Sequence, residues 1–582
     1  REFAVTLSVA ILMSLVVSLT LTPMMCSRLL RAARAQGAQR VARWKRWTEG
    51  AFSAIARGYE RSLAWALRHS ALMLLLFFAT IALNVYLYII VPKGFFPQQD
   101  VGMLFGGIQA DQATSFQSMR NKLSEFVEIV RQDPAVANVV AFTGGGQRNG
   151  GNMFVILKPL AERGISADAV NARLRQKVAH VPGASVFFAP VQDIRVGGRS
   201  ANATYQYTLQ GDDLEELRSW EPKVRQVMSD LPELADVNTD AQDRGLQTSL
   251  IIDRDTASRL GVTPALIDAV LNDAFGQRQV STIYMPLNQY RVVMEAAPQY
   301  WQHPESLNDI YLITSSGAQV PLSAIARYET TRTPLAVNHQ GQFAASTIAF
   351  NLAPDVTLSQ ATDAINVALQ RLGLPTSIRA SFQGTAQVFQ QSLASQPILI
   401  LAALATIYIV LGMLYESYVH PITILSTLPS AGAGAILALL ATGTEFSIIA
   451  LIGVFLLIGI VKKNAILMVD FAINAERERG LPSRDAILEA CKLRLRPILM
   501  TTMAALLGAV PLALSVGDGT EMRRPLGISI VGGLIASQLL TLYTTPVIYL
   551  YLDRARLAVA RRRERKRARR HPGYPAGKSE PA

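Results

Sequence analysis

Gly459-Ile460-Val461-Lys462-Lys463-Asn464-Ala465-Ile466-Leu467 lies inside an almost unbroken apolar run from Phe446 to Ile473. The run is long enough to span a bilayer, and two lysines fall near its middle. At ~1.5 Å per residue, Lys463 is roughly 15 Å from the polar end near Asn474. A lysine stem cannot snorkel that far. A charge at this depth costs from about 2.5 to more than about 10 kcal/mol and marks an ion path, a substrate path or a buried ion pair.

Six further stretches are apolar enough to span. With the run above, the spans fall near residues 3–27, 70–91, 397–415, 421–441, 446–473, 497–516 and 525–552. Between the second and third lies a polar insertion, 92–395. The chain has 582 residues, half of them hydrophobic, and a mean hydropathy of +0.24. That composition fits a membrane domain with large polar domains attached.

Net charge is +13, but its distribution carries the information. Segment 28–68 has ten Lys/Arg against two Glu, and tail 553–582 has eleven against three acids. The insertion holds 24 basic and 28 acidic residues. By the positive-inside rule the first two are cytoplasmic, and span parity then puts the insertion outside. The basic run Arg561–Arg570 reads as a topology signal and a contact for anionic lipid rather than for nucleic acid. Segment 31–69, with Trp44, Trp47, Phe52, Ile55, Tyr59, Leu63 and Trp65 among basic residues, suits an amphipathic helix on the cytoplasmic face. Two cysteines, Cys26 and Cys491, build neither a disulfide framework nor a metal knuckle. With no starting methionine and an odd span count, the chain is expected to be the C-terminal part of a longer protein.

The insertion reads as a repeated α/β pattern. Val101–Ala110, a helix over 115–131, Val136–Phe142, Met153–Lys158, a helix over 166–179 and Ala184–Ala189 follow the order βαββαβ, the ferredoxin-like split βαβ. The order recurs with Tyr205–Gln210, Leu214–Ser229 and Ala235–Thr239, then Ala345–Leu352, Leu358–Leu372 and Ser377–Phe382. Residues 247–332 interrupt this second module. Pro92-Lys93-Gly94 and Gln396-Pro397 are expected to punctuate the membrane junctions.

Arg494-Leu495-Arg496-Pro497 is expected to open the sixth span, with Thr501 two turns on and on the same face. Two cations in one bundle need an acidic partner. Asp470 is ~10.5 Å along the helix from Lys463, too far for a direct pair. The counter-charge is expected to lie outside this chain. Gly573–Ser579 ends in Gly-Lys-Ser but lacks the spacing and preceding strand of a phosphate loop. No nucleophile–base set, zinc-protease helix or Cys/His cluster appears, so neither an enzyme nor a metal centre is expected. Ala431, Ala435, Gly527, Gly532 and Gly533 permit close helix packing.

Leu19-Thr20-Leu21-Thr22-Pro23-Met24-Met25-Cys26, Phe95-Phe96-Pro97, Leu414-Tyr415-Glu416-Ser417, Gly459–Ala465 and Arg496-Pro497-Ile498-Leu499-Met500-Thr501-Thr502 together resemble the resistance–nodulation–division (RND) multidrug exporters of tripartite Gram-negative pumps. Within them the chain is similar to the MdtB/MdtC branch. The resemblance implies a polytopic α-helical membrane protein of the bacterial inner membrane. Its periplasmic parts would be ferredoxin-like porter subdomains, 92–203 and 204–246 with 333–395, and an α+β docking subdomain, 247–332. It implies proton-driven efflux of drugs and amphiphilic compounds, powered by the proton-motive force with no cofactor. The partners would be a homo- or heterotrimer with MdtB-like subunits, a periplasmic adaptor, an outer-membrane channel and lipid.

Lys463, Arg494 and Thr501 match the family's proton-relay lysine, arginine and threonine, which face an aspartate pair absent here. Phe154 matches an aromatic of the substrate pocket. The phenylalanines that other members carry in the loop after Val139–Phe142 are replaced by Thr143–Gly150, and another subunit of a heterotrimer would then supply that pocket. Two alternatives stand beside this reading. One is a heavy-metal exporter using Met103, Met119 and Met153, for which core packing is the competing role. The other is a non-transporting receptor or scaffold, which has no use for Lys463 at mid-membrane.

Overall fold

The computed structural model describes residues 2–29, 43–144, 147–194, 196–198, 201–354, 356–515, 517 and 519–570. Residues 31–42, Gly145, Gly146 and Gly573–Ser579, named above, lie outside them. The chain forms two compact units, Arg1–His69 and Ser70–Ala582. The first consists of α1 (Glu2–Leu29) and α2 (Arg43–Arg68). In α2, Tyr59, Leu63 and Ala66 recur at helical spacing among basic residues, the pattern of an amphipathic helix.

In the second unit, α3 (Ser70–Ile90) leads into the insertion. There β1 (Met103–Ala110), α4 (Phe116–Arg131), β2 (Val136–Thr143), β3 (Gly150–Leu157), α5 (Leu160–Arg163), α6 (Ala167–Val178) and β4 (Ala184–Pro190) form one module. Its sheet has the order β2-β3-β1-β4 with every pair antiparallel, the split-βαβ arrangement. Ser115 and Ser166 cap α4 and α6 by accepting backbone N–H bonds. The two helices cover one face of the sheet, burying Leu104, Met119, Phe126, Met153, Leu174 and Phe188.

Beneath that core, the loop after α4 carries a buried carboxylate. Asp133 accepts from Arg173 Nε at 2.8 Å, Arg173 Nη2 at 2.5 Å and Lys177 Nζ at 2.9 Å. Burial alone would raise its pKa, but these bonds and the Ala135 amide outweigh burial and hold the carboxyl below its usual range. The cluster ties the end of α4 to α6.

The second module contains β5 (Tyr205–Gly211), α7 (Leu214–Ser229) and β6 (Leu234–Thr239), then the interruption. The interruption holds β7 (Gly245–Ile252), α8 (Arg254–Arg259), α9 (Pro264–Phe275), β8 (Arg278–Tyr284), β9 (Gln289–Met294), β10 (Tyr311–Ile313), β11 (Gln319–Pro321) and β12 (Ala326–Thr333). The module resumes with β13 (His339–Gln340), β14 (Phe343–Leu352), α10 (Leu358–Leu372) and β15 (Ile378–Gln383). β14 pairs with both β5 and β6, and β15 pairs with β5, all antiparallel. Reading β5, β6, β14 and β15 as strands one to four gives the same topology as the first module. The interrupting segment leaves and returns through an antiparallel ladder of β7 and β12. It has its own small core of Ile267, Leu312, Val320, Leu322 and Ile325.

Helices α11 (Thr385–Tyr415), α12 (His420–Leu425), α13 (Leu428–Ala441), α14 (Ile448–Arg479), α15 (Ser483–Ala513) and α16 (Arg524–Arg570) complete the unit. With α1 and α3, seven stretches among the described residues are long and apolar enough to cross a membrane, α12 and α13 forming one of them. Two boundaries differ from expectation. Helix α11 runs straight through Pro397 from Thr385 instead of starting there. Prolines are tolerated inside spanning helices because neighbouring groups satisfy the freed backbone, and here Gln396 is buried and accepts the Tyr88 hydroxyl at 3.1 Å. Likewise α15 starts at Ser483, so Arg494 lies well inside the helix, not at its opening.

Small residues set the helix crossing. A Cβ on Gly532 would sit 2.7 Å from the Gly434 carbonyl oxygen and 2.2 Å from Ala438 Cβ, so α13 and α16 touch backbone to backbone. At the junction, Phe446 N–H donates to Pro92 and Ile448 N–H to Phe95, stitching the α13–α14 loop to the start of the insertion. Glu445 in that loop packs against Gly94, where a Cβ would meet its carboxylate, and burial raises its pKa.

Gly532→Ala is expected to destabilise the bundle by about 1–3 kcal/mol through overpacking, read as lower accumulation in membranes. Gly459→Ala, which meets open space, is expected to leave accumulation unchanged. The Asp133 cluster predicts a pH dependence. Because the folded pKa is depressed, its stabilisation is present above the unfolded carboxylate range and lost as pH falls through the folded pKa. Hydrogen-exchange protection over 133–181 is expected to fall on acidification in the native chain. With Asp133→Asn it is expected to be lower at neutral pH and flatter with pH.

Candidate functional site

Lys463 stands at the middle of the 32-residue α14, and its side chain is on the exposed surface of the bundle. Among the described residues it makes no hydrogen bond or ion pair. Asp470, two turns further along, is exposed as well. On α15, Met500, Met503 and Leu507 are 65%, 51% and 61% exposed. Arg494 reaches α14 through the face of Phe471, its Cζ 5.1 Å from the ring centroid, while its Nε is buried without a partner. The Thr501 hydroxyl donates back to the Ile498 carbonyl at 3.2 Å. Lys463, Arg494 and Thr501 therefore do not bond to one another.

Their immediate neighbours do meet. Asn464 Nδ2 donates to Thr502 Oγ1 at 3.0 Å and to Gln538 Oε1 at 3.3 Å, joining α14, α15 and α16. Asn464 follows Lys463 and Thr502 follows Thr501, so this contact sets the lysine and the threonine at one level of the bundle. Arg494 sits about two turns away along α15, consistent with its contact to Phe471 on the antiparallel α14. A cationic, apolar-flanked face at mid-helix is the result. A charged side chain there is costly in a bilayer unless it meets an acidic or water-filled partner surface.

In the first module, Phe154 lies on the sheet face that the helices leave open. Its ring centroid is 5.4 Å from Phe105 and 6.3 Å from Phe142. Val140 and Ile156 add apolar surface on the same face, 55% and 36% exposed. Phe105 from β1 and Phe142 from β2 thus accompany Phe154 on this face, while the sequence Thr143–Gly150 carries no aromatic. Strand alternation puts Phe105 and Phe154 on one face, and only the register Phe105↔Phe154 and Val140↔Phe154 brings the rings together. Met119 and Met153 are fully buried in the core on the opposite face, so the three methionines do not form one cluster with half-buried Met103.

The loop Thr143–Gly150 has a different place. Gln242 Nε2 donates to Gln147 Oε1 at 2.6 Å, and Asn149 Nδ2 donates to Gln242 Oε1 at 3.0 Å. These amides clasp the first module to the second beside a cleft of about 510 Å³. Gln109, Asn152, Asn202, Asn238 and Asn338 line it with hydrogen-bonding groups, and Phe142 forms its apolar edge. No sequence motif announces this seam, because its members come from loops about ninety residues apart.

The bundle and the two split-βαβ modules together define a polytopic membrane protein with α/β domains carried between its second and third spans. The pattern of the AcrB/AcrD/AcrF family matches residues 1–553, and the chain belongs to that family of transporters. It is 61% identical over 562 residues to the multidrug resistance protein MdtC of Cronobacter sakazakii, covering 97% of this chain and 54% of the relative. It is 60% identical over the same length, with the same coverage, to MdtC of Salmonella paratyphi B. The chain thus spans about half the length of the curated relatives it matches. A crystal structure described as a heavy metal efflux pump superimposes with a TM-score of 0.78 at 23% identity, over 86% of this chain and 53% of that one. That likeness concerns the fold.

Gln242→Ala is expected to raise hydrogen exchange in residues 147–150 while leaving protection of β1 and β5 unchanged.

Proposed function

We propose that this chain supplies the lysine side of a proton-driven exporter of drugs and other amphiphilic compounds, acting as a secondary transporter in the bacterial inner membrane. The observation that carries the reading is Lys463, exposed and unpaired among the described residues at the middle of a spanning helix. Family membership and the identity to proteins named for multidrug resistance support it.

In this reading Lys463, Arg494 and Thr501 face acidic groups on a segment packed against the exposed side of α14 and α15. Protonation of those acids releases the lysine and arginine, and the helices shift. The energy scale is adequate. One charge crossing 100 mV supplies ~2.3 kcal/mol, whereas a tenfold uphill gradient of a neutral drug costs ~1.4 kcal/mol.

The insertion lies on the periplasmic side, where its two modules act as porter subdomains and 247–332 as a docking subdomain. Phe154, with Phe105 and Phe142, forms an apolar wall for substrate. The working assembly is a trimer with like subunits, a periplasmic adaptor and an outer-membrane channel.

Lys463→Ala in the full-length transporter is expected to reduce drug resistance to the level of cells without the pump, at unchanged membrane accumulation. Retained resistance in that variant would remove the relay assignment.

A further inference from the structure

We propose that Asn464 is a positioning residue for proton coupling, clamping the three helices at the level of Lys463 so that they shift as one body. The inference rests on the relay reading of Lys463 but comes from a separate observation.

Asn464 is 6% exposed and Thr502 likewise 6%. One side-chain nitrogen, Asn464 Nδ2, serves acceptors on two other helices. In hydrocarbon there is no water to replace a lost partner, so a cluster of this kind holds its members in one register. Adjacent residues on a helix point about 100° apart. Asn464 therefore faces inward toward α15 and α16 where Lys463 faces out, and Thr502 is inward where Thr501 is half exposed. A pull on Lys463 is thereby delivered to α15 one residue from Thr501, and to α16 through Gln538.

Gln538 Nε2 adds a second feature: it is buried and has no partner. The cluster thus holds a buried donor nitrogen that the contacts in this arrangement do not use. That spare donor lets the amides stay paired through small local adjustments, so the three helices remain joined while they shift together. Helix α16 in turn meets α13 at the Gly434–Gly532 crossing. The loop after α13 is hydrogen-bonded to Pro92 and Phe95, where the insertion begins.

The test uses the full-length transporter in proteoliposomes, reading drug transport and drug-dependent proton flux together. Thr502→Val keeps the shape and removes the acceptor; Thr502→Ser keeps the acceptor. Thr502→Val is expected to lower the drug-to-proton ratio about fivefold, the scale of one interhelical hydrogen bond in a membrane, while Thr502→Ser restores it. Gln538→Met, which removes the other acceptor, is expected to lower the ratio in the same direction. An unchanged ratio in Thr502→Val, or a serine variant as impaired as valine, overturns the proposal. Failure of both Thr502→Val and Gln538→Met to insert would also overturn it, because the cluster would then serve assembly alone. Lys463→Ala in the same assay separates the two readings: if it transports normally the relay fails, whereas if it is inactive and Thr502→Val is normal only the clamp fails.

Discussion

Hydrocarbon offers no hydrogen bond and no counter-ion, and the arrangement of this bundle follows from that constraint. Backbone groups are satisfied within helices, and seven stretches among the described residues are helices long and apolar enough to span. Side chains then have two acceptable fates. Asn464, Thr502 and Gln538 turn inward, where Asn464 donates to the other two, whereas Lys463 turns outward onto the exposed side of α14. Without a hydrophobic effect between helices, association depends on close contact, and Gly434 and Gly532 provide it by letting two backbones touch. The polar end of the bundle obeys the same rule in reverse. There Tyr549 donates to Glu476, Ser483 to Asp553, and Arg556 pairs with Asp553.

Outside the helices the same sheet topology is used twice, once intact and once split by an inserted segment. The two copies present different surfaces: in the first module the sheet face away from the helices is open, whereas in the second the central strands β5 and β14 are buried on both faces. In the first, that face carries Phe105, Phe142 and Phe154. The cleft beside it carries several amide side chains, so apolar and hydrogen-bonding surface lie next to each other.

Much of this architecture is legible in the amino-acid sequence. Long apolar runs mark all seven spans, since span length is dictated by bilayer thickness and needs no tertiary information. Period-two and period-3.6 patterns mark both modules and the interruption. Lys463 stands out because a charge in an apolar run is locally anomalous. What the sequence hides depends on long-range placement. Arg494 and Pro397 look like helix openings, because propensity marks where a helix can begin rather than where packing lets it continue. The Phe105–Phe142–Phe154 group needs strand register, which no single strand encodes. The Asn464 cluster is hidden because asparagine, threonine and glutamine in separate helices carry no pattern, and only their contact makes them a unit. Asp133 is likewise an ordinary loop aspartate until the fold brings Arg173 and Lys177 over it.

Gln242 occupies two roles at once. It is clasped by Gln147 and Asn149 of the first module, and its carbonyl accepts the Leu335 N–H at 2.9 Å, just below the β7–β12 ladder. That ladder is a two-stranded ribbon of eight paired residues, about 25 Å long. A ribbon held at both feet resists stretching but twists easily. Opening the cleft between the modules would therefore rotate its base, and the inserted segment would receive torque rather than displacement. A change in the width of the cleft would in this way alter the orientation of the inserted segment.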